Sequence, residues 1–299
     1  MVIDDTILER NGRHTDGAGW VFDHTQGKSI WGMQYVTAVI SGKEGIFPLN
    51  LDLKAKSCLS KIVMQMAVIK RSITAGLHFR TVVFDSWYFA SRLVRFLERE
   101  KKDRITEARR NGKIFLGGKS MNLRGYADPL KLRVMTAYSI GNNAYFMKSI
   151  TTRMKNVGNV QVVISRGMNS EKFFVTNRID WKPKKVIDMY LRRWDIEVFH
   201  MELMHEGLRH LYHRTHESLL GTAKLSLMEK LTLEISAIRS LESHLKIGKG
   251  TPGMRFRSMA MRVLVDLFMA IEKGGKEFLD ALMESIRKPY RLTMRSFGG

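Results

Sequence analysis

Two apolar runs that each close on an acid constrain this chain more than any other feature. Met1 to Asp4 reads Met-Val-Ile-Asp, and Thr81 to Asp85 reads Thr-Val-Val-Phe-Asp. Short β-branched runs of this kind are buried strands, and an acid at the tip of one is carried to the end of a sheet. The intervening pattern is strand, strand, helix. Residues 29–40 and 45–53 read as strands joined by a turn at 41–44, with Pro48 marking an edge. Residues 60–75 repeat apolar side chains at helical spacing, with Ser60 as N-cap and Gly76 as the stop. Residues 9–29, rich in Gly, Asp, His and Thr, are expected to form a loop or loose hairpin. A second helix is expected from about Ser86 to Lys102. Three antiparallel strands followed by α/β crossovers make a mixed sheet flanked by helices, an α/β fold.

A third acid stands in the stretch Tyr190 to Met204. Read as one helix, this stretch stacks Tyr190, Arg193 and Glu197 along a stripe, while Ile187, Trp194, Val198, Phe199 and Met201 are apolar and face a core. Asp4 or Asp5, Asp85 and Glu197 together make an all-oxygen, three-carboxylate set suited to a hard divalent ion such as Mg2+. Each acid also has a plainer reading. Asp4 and Asp5 fit a turn, Asp85 fits a helix N-cap, and Glu197 fits an i,i+4 ion pair with Arg193.

The Y-x-x-R-x-x-x-E pattern at 190–197, the FDSWY of 84–88 and the IDDT of 3–6 together resemble the DDE transposases of bacterial and archaeal insertion sequences. The resemblance runs from Ile3 to about Leu220. It implies a ribonuclease-H-like core with a β-rich insertion before the last acid. Asp4, Asp85 and Glu197 would be the catalytic, metal-holding acids, with Asp4 chosen over Asp5 because a Ser or Thr follows the family's first acid by two positions. Tyr190 and Arg193 would contact DNA near the cleaved phosphate. The implied cofactor is a pair of Mg2+ ions, with Mn2+ able to substitute, and the implied partners are transposon ends and target DNA, bound by a homodimer. The family usually carries a lysine seven residues after the glutamate; this chain has Met204. Only three residues precede Asp4, fewer than in an ordinary strand, so the natural protein is expected to extend upstream or to be truncated here.

Charge supports a polyanion as partner. Fifty Lys and Arg against 29 Asp and Glu give a net charge of +21 in 299 residues, a field that attracts nucleic acid in a salt-dependent way. The excess is concentrated in residues 104–155, with eleven Lys or Arg against two acids, Glu107 and Asp128. Arg109, Arg110, Lys113 and Arg192 are accordingly expected DNA contacts alongside Tyr190 and Arg193. No apolar run is long enough for a membrane span, and the single Cys58 excludes an intrachain disulfide. No signal peptide opens the chain, so a prokaryotic cytoplasmic protein, on the nucleoid when bound to DNA, is expected. Gly117, Gly118 and Gly125 do not form a phosphate loop, so no nucleotide cofactor is indicated. His213 and His216 could share a metal, but no third ligand of fixed spacing accompanies them.

The expected organisation is a ribonuclease-H-like catalytic core from 1–103 and 177–222, a basic β-rich insertion at 104–176, and a helical C-terminal region at 223–299. Lys182-Pro183 starts the helix that carries Glu197. The leading function is metal-dependent cleavage of transposon-end phosphodiesters and strand transfer into target DNA. The alternatives are an inactive remnant that only binds DNA, a nuclease of the same core without strand transfer, and a basic scaffold.

Overall fold

A computed structural model describes residues 1–12, 14–23, 26–43, 45–54, 59–140, 143–167, 170–205, 208, 214–234, 243 and 252–287. The chain divides into two compact units, Met1–Glu234 and Ile235–Gly299.

In the first unit the opening elements are β1 (Val2–Glu9), β2 (Gly19–Asp23), β3 (Lys28–Ser41), β4 (Ile46–Lys54), α1 (Lys61–Thr74), β5 (Thr81–Phe84), α2 (Ser91–Arg99) and β6 (Asp103–Ala108). β4, β3 and β1 are antiparallel neighbours, and β1, β5 and β6 run parallel. The order β4-β3-β1-β5-β6 is that of a ribonuclease-H-like sheet, and it places the two acid-bearing strands side by side at its centre. β1 is a full strand because it continues past Asp4 to Glu9; the acid lies within it, not at its tip. The expected loop at 9–29 contains β2, which pairs with the first residues of β3. Among the described residues β4 pairs with β3 alone, and its register slips between Asn50 and Pro48, where a proline without an N–H is tolerated.

Side-chain alternation along β1 divides the core into two layers. Val2 and Leu8 pack with Val83, Ile105, Ile196 and Phe199 on one face. Met1 and Ile3 pack with Val68, Ile69, Phe84, Tyr88 and Leu93 on the other. α1 closes the second face, and the Ser60 hydroxyl accepts the Val63 N–H at its start, as its position in the sequence predicts. Ser60→Ala should cost about 1 kcal/mol of stability, read from the urea midpoint; no shift would show that this cap bond is not made in solution.

After β6 come β7 (Lys113–Leu116), β8 (Lys119–Asn122), α3 (Leu123–Ala127), a short 3-10 turn at Leu132–Val134, β9 (Thr136–Ile140), β10 (Asn143–Met154), β11 (Gly158–Arg166) and β12 (Glu171–Thr176). β7 and β8 turn through Gly117 and Gly118, whose φ values of 55° and 77° are the left-handed pair a tight hairpin requires. β12 returns antiparallel to β6, so the core sheet runs unbroken through β11 and β10 into the lobe. The lobe has its own apolar cluster around Ile114, Leu123, Val162 and Phe173.

The chain then forms α4 (Pro183–Leu191), α5 (Trp194–His205) and α6 (His216–Glu234). Pro183 sits in the first turn of α4, where its missing N–H costs nothing. The single helix expected from Tyr190 to Met204 is two helices, divided at Arg192 and Arg193 by i→i+3 bonds from Arg193 N to Tyr190 O and from Ile196 N to Arg193 O. The helix expected from Ser86 begins only at Ser91, because Asp85 draws residues 86–88 into a turn. In the second unit, α7 (Pro252–Arg287) contains a break at Gly275, with φ 59° and ψ −152°. Much of the helical region expected at 223–299, together with Cys58 and His213, lies outside the described residues. Among the described residues no helix is long and apolar enough to cross a membrane.

Candidate active site

Strand register brings the first two acids together. Val2 of β1 is the parallel partner of Val83 of β5. Asp4 and Asp85 each follow two residues later, on the same face and on adjacent strands, whose spacing in a sheet is about 4.8 Å. Both line one cleft of about 320 Å³, together with Asp5, Phe22, Lys61 and Trp87.

The same alternation separates Asp4 from Asp5. Asp4 shares the face of Val2 and Leu8, which α5 covers. Asp5 turns to the opposite layer, where it accepts hydrogen bonds from Lys61 Nζ at 2.8 Å, Tyr88 Oη at 2.8 Å and Gln34 Nε2 at 2.7 Å. Asp5 is engaged by these three donors, whereas Asp4 and Asp85 follow paired positions on adjacent strands. Asp85 holds its own turn through Oδ1, which accepts the N–H groups of Trp87 at 3.0 Å and Tyr88 at 3.3 Å. The plainer helix-cap reading of Asp85 is therefore replaced by a turn made with one carboxylate oxygen.

Glu197 reaches this pair through Arg193. The Arg193 guanidinium donates from Nη1 to Asp4 Oδ2 at 3.2 Å and from Nη2 to Glu197 Oε1. The i,i+4 ion pair read from sequence is thus present, and it bridges to the first acid. Burial opposes the Arg193 cation, but Tyr190, Asp4 and Glu197 outweigh that and hold its pKa above the ordinary value. Asp4 and Glu197 are therefore joined through a guanidinium and not directly. Among the described residues no three His, Cys, Asp or Glu side chains form a metal-holding group. Arg193 supplies a positive charge between two of the three acids.

The acids nevertheless suit a divalent cation. Burial, then the nearby Asp85 charge, pushes the Asp4 carboxyl up to about 7. Burial also raises Asp85, against its two backbone hydrogen bonds. Two adjacent, raised carboxyls are a deficit of positive charge with all-oxygen donors, the chemistry a hard ion satisfies. Asp4 and Asp85 fit such an ion as they stand, and Glu197 fits once its pairing with Arg193 opens.

The other expected contacts are placed unevenly. Tyr190 is only 7% exposed, packs on Phe174 at 4.8 Å and donates to Glu107 Oε2 at 3.4 Å. Arg192 donates to Ser41 Oγ at 3.3 Å. Arg109, Arg110 and Lys113 are exposed just beyond the end of β6, the strand beside Asp85. Met204, where the family usually has lysine, packs against the apolar core.

Two residues were missed by the sequence reading. Glu107 continues the register, following Ile105 on β6 as Asp85 follows Val83 on β5. The I-T-E spacing after a buried strand was the available signal. His200 on α5 is hydrogen-bonded to Thr37 Oγ1 at 2.7 Å, and burial lowers it to about 4, so it is a neutral imidazole packed behind Asp4. Nothing in its sequence position distinguished it from its neighbours.

The ribonuclease-H-like sheet thus sets two acids on adjacent parallel strands, with a third on a helix across its face. The family described as archaeal putative transposase ISC1217 matches residues 51–243, and the chain belongs to that family. No curated protein sequence matches the chain. Among solved structures, the piggyBac transposase synaptic complex with hairpin DNA is similar in fold, with a TM-score of 0.50 at 10% identity. The match covers 95% of this chain and 56% of that one, so the chain spans little more than half the length of this structural neighbour.

Proposed function

We propose that the chain is a DNA transposase that cleaves phosphodiesters at transposon ends and joins the ends to target DNA. The observation that carries this reading is the register that sets Asp4 beside Asp85 in one cleft, with Arg193 linking Asp4 to Glu197. DDE transposases use divalent metal ions; here Asp4 and Asp85 would hold the metal, with Glu197 as the third ligand. The ions, which we take to be two Mg2+ with Mn2+ as substitute, would activate a water or a 3′-hydroxyl and neutralise charge on the leaving oxygen.

The chain's own residues supply the rest. Arg193, released from Asp4 and Glu197, would clamp a phosphate at the acids. The Asp85 turn holds its carboxylate in place through two backbone N–H groups. Arg109, Arg110, Lys113 and Arg192 would steer DNA backbone toward the same end of the sheet. Tyr190, being buried, acts in this reading through Glu107 and the packing of α4, not through direct contact. Residues 104–176 would serve as the basic inserted lobe, and a homodimer would bring two ends together on nucleoid DNA in the cytoplasm.

The test is a supercoiled plasmid bearing the element's ends. Nicking and joined products that require Mg2+ are expected, and nicking without joining would leave a nuclease instead. Affinity for duplex DNA, measured by fluorescence anisotropy, should fall linearly with log salt concentration. With roughly six phosphates neutralised, the loss between 50 and 200 mM salt would be about 10³-fold. A flat response would exclude backbone binding by this basic surface.

A further inference from the structure

The cleft at the acids has an aromatic element that the cleavage chemistry does not use. Asp85 is followed by Ser86, Trp87 and Tyr88, and the two aromatics part company. Tyr88 is fully buried among Ile3, Ile69 and Phe84, and its hydroxyl is spent on Asp5. Trp87 stays in the cleft wall with 37% of its surface open.

Its position is fixed from several sides. Its N–H is held by Asp85 Oδ1 at 3.0 Å. Its ring meets Tyr88 edge to face, with centroids 4.9 Å apart. Lys61 Nζ lies 3.7 Å from the ring centroid and is itself anchored on Asp5, so a cation covers one face of the indole. Phe22 of β2, half exposed, lines the same cleft. An indole fixed in this way and 37% exposed beside two acids has the form of a stacking platform, which loses little freedom when an aromatic ligand settles on it.

We propose that Trp87 stacks an unpaired nucleobase of the strand held at Asp4 and Asp85, with Phe22 lining the same slot. The inference rests on the reading of this cleft as a DNA site and adds what the cleft selects: a base removed from its helix, as at a frayed or nicked end. A base within a duplex is stacked on its neighbours and cannot reach the ring. Only Ser86 stands between Trp87 and Asp85 in the chain, so a phosphate at the acid and a base on the indole can belong to adjoining nucleotides.

The experiment uses the full chain in EDTA, where cleavage does not occur. Binding of a fluorescein-labelled oligothymidine is compared with binding of an abasic strand of equal length. Both carry the same phosphates, so the basic surface contributes equally to each. Wild type should prefer the base-bearing strand by about tenfold. Trp87→Leu should abolish that preference while leaving abasic affinity within about twofold, and Trp87→Phe should keep most of it. The inference is overturned if wild type does not distinguish the strands, or if Trp87→Leu, with a wild-type circular dichroism spectrum, still does. Should the leucine variant not fold, loss of preference on going from wild type to the still weaker stacker Trp87→His decides the matter. Wild-type plasmid nicking in Mg2+ separates the two readings: nicking without base preference removes only the slot, and a Trp87-dependent preference without nicking keeps the slot and removes the transposase.

Discussion

Asp85→Asn is expected to reduce Mg2+-dependent nicking and joining on the order of 10³-fold or more, while duplex affinity in EDTA stays within about twofold of wild type. The substitution is gentle to the fold. An asparagine Oδ1 can still accept the Trp87 and Tyr88 N–H groups that make the turn, so what is removed is the charge. Loss of a metal-ligating carboxylate forfeits several kcal/mol of transition-state stabilisation, and each 1.4 kcal/mol is about tenfold in rate. Asp5→Asn is the control on the next layer. Asp5 is neutralised by Lys61, Gln34 and Tyr88, so its loss should lower stability more than it lowers cleavage. Equal rates for wild type and Asp85→Asn would end the assignment of this cleft as the reaction centre, and a larger rate loss for Asp5→Asn than for Asp4→Asn would mean that the wrong acid of the pair has been chosen.

Asp4→Asn is expected to stabilise the metal-free protein at neutral pH, which makes the functional cost of the native acid measurable. Burial, reinforced by Asp85, raises the Asp4 carboxyl from 3.8 to about 7. A raised carboxyl binds its proton more tightly in the folded state than in the unfolded chain. Its contribution is therefore fully present below about pH 4 and is lost as pH rises to about 7. An asparagine does not titrate, so the variant escapes that loss. The stability difference should grow from near zero at pH 4 to a limit on the order of 4 kcal/mol above pH 7, since each tenfold change in proton affinity is worth about 1.4 kcal/mol. His200, lowered to about 4, loses its contribution as pH falls below 6.5, but it is present in both proteins and largely cancels in the difference. Urea unfolding in EDTA across pH 4 to 8 measures the effect. Adding Mg2+ should narrow the gap at pH 8 by stabilising wild type alone. A pH-independent difference would mean that the acid is already neutralised by Arg193, and that the Asp4–Asp85 pair has no charge deficit for a cation to fill.

What could be read from the chain follows from how each feature is encoded. The apolar runs that end on Asp4 and Asp85 were legible because burial of a strand is written in consecutive residues. The Ser60 cap and the Pro183 helix start were legible for the same local reason. The two layers were not, because they require knowing which partner faces each side of β1. Sequence resemblance preferred Asp4 to Asp5; that alternation turns Asp4 toward α5 and Asp5 toward Lys61 could be read only from the fold. The continuous helix expected through Arg193 failed because a stripe of Tyr190, Arg193 and Glu197 is also served by two helices with a tight turn between them. The helix expected from Ser86 failed because an aspartate side chain competing for nearby N–H groups reads the same in sequence whether it caps a helix or closes a turn.

By itself, then, the sequence determined the material of the site: apolar strands carrying acids, a helical stretch with Arg193 and Glu197, a basic surface, and a mixed sheet flanked by helices. Only the tertiary structure decided the pairing of Val2 with Val83, the addition of Glu107 to the same row, the bridging of Asp4 and Glu197 by Arg193, and the exposure of Trp87 beside buried Tyr88. The physical reason is range. Periodicity and capping act over a few residues and are recorded locally, whereas register between strands and the neutralisation of one acid by a distant cation arise from groups 80 to 190 residues apart that meet only in the folded chain.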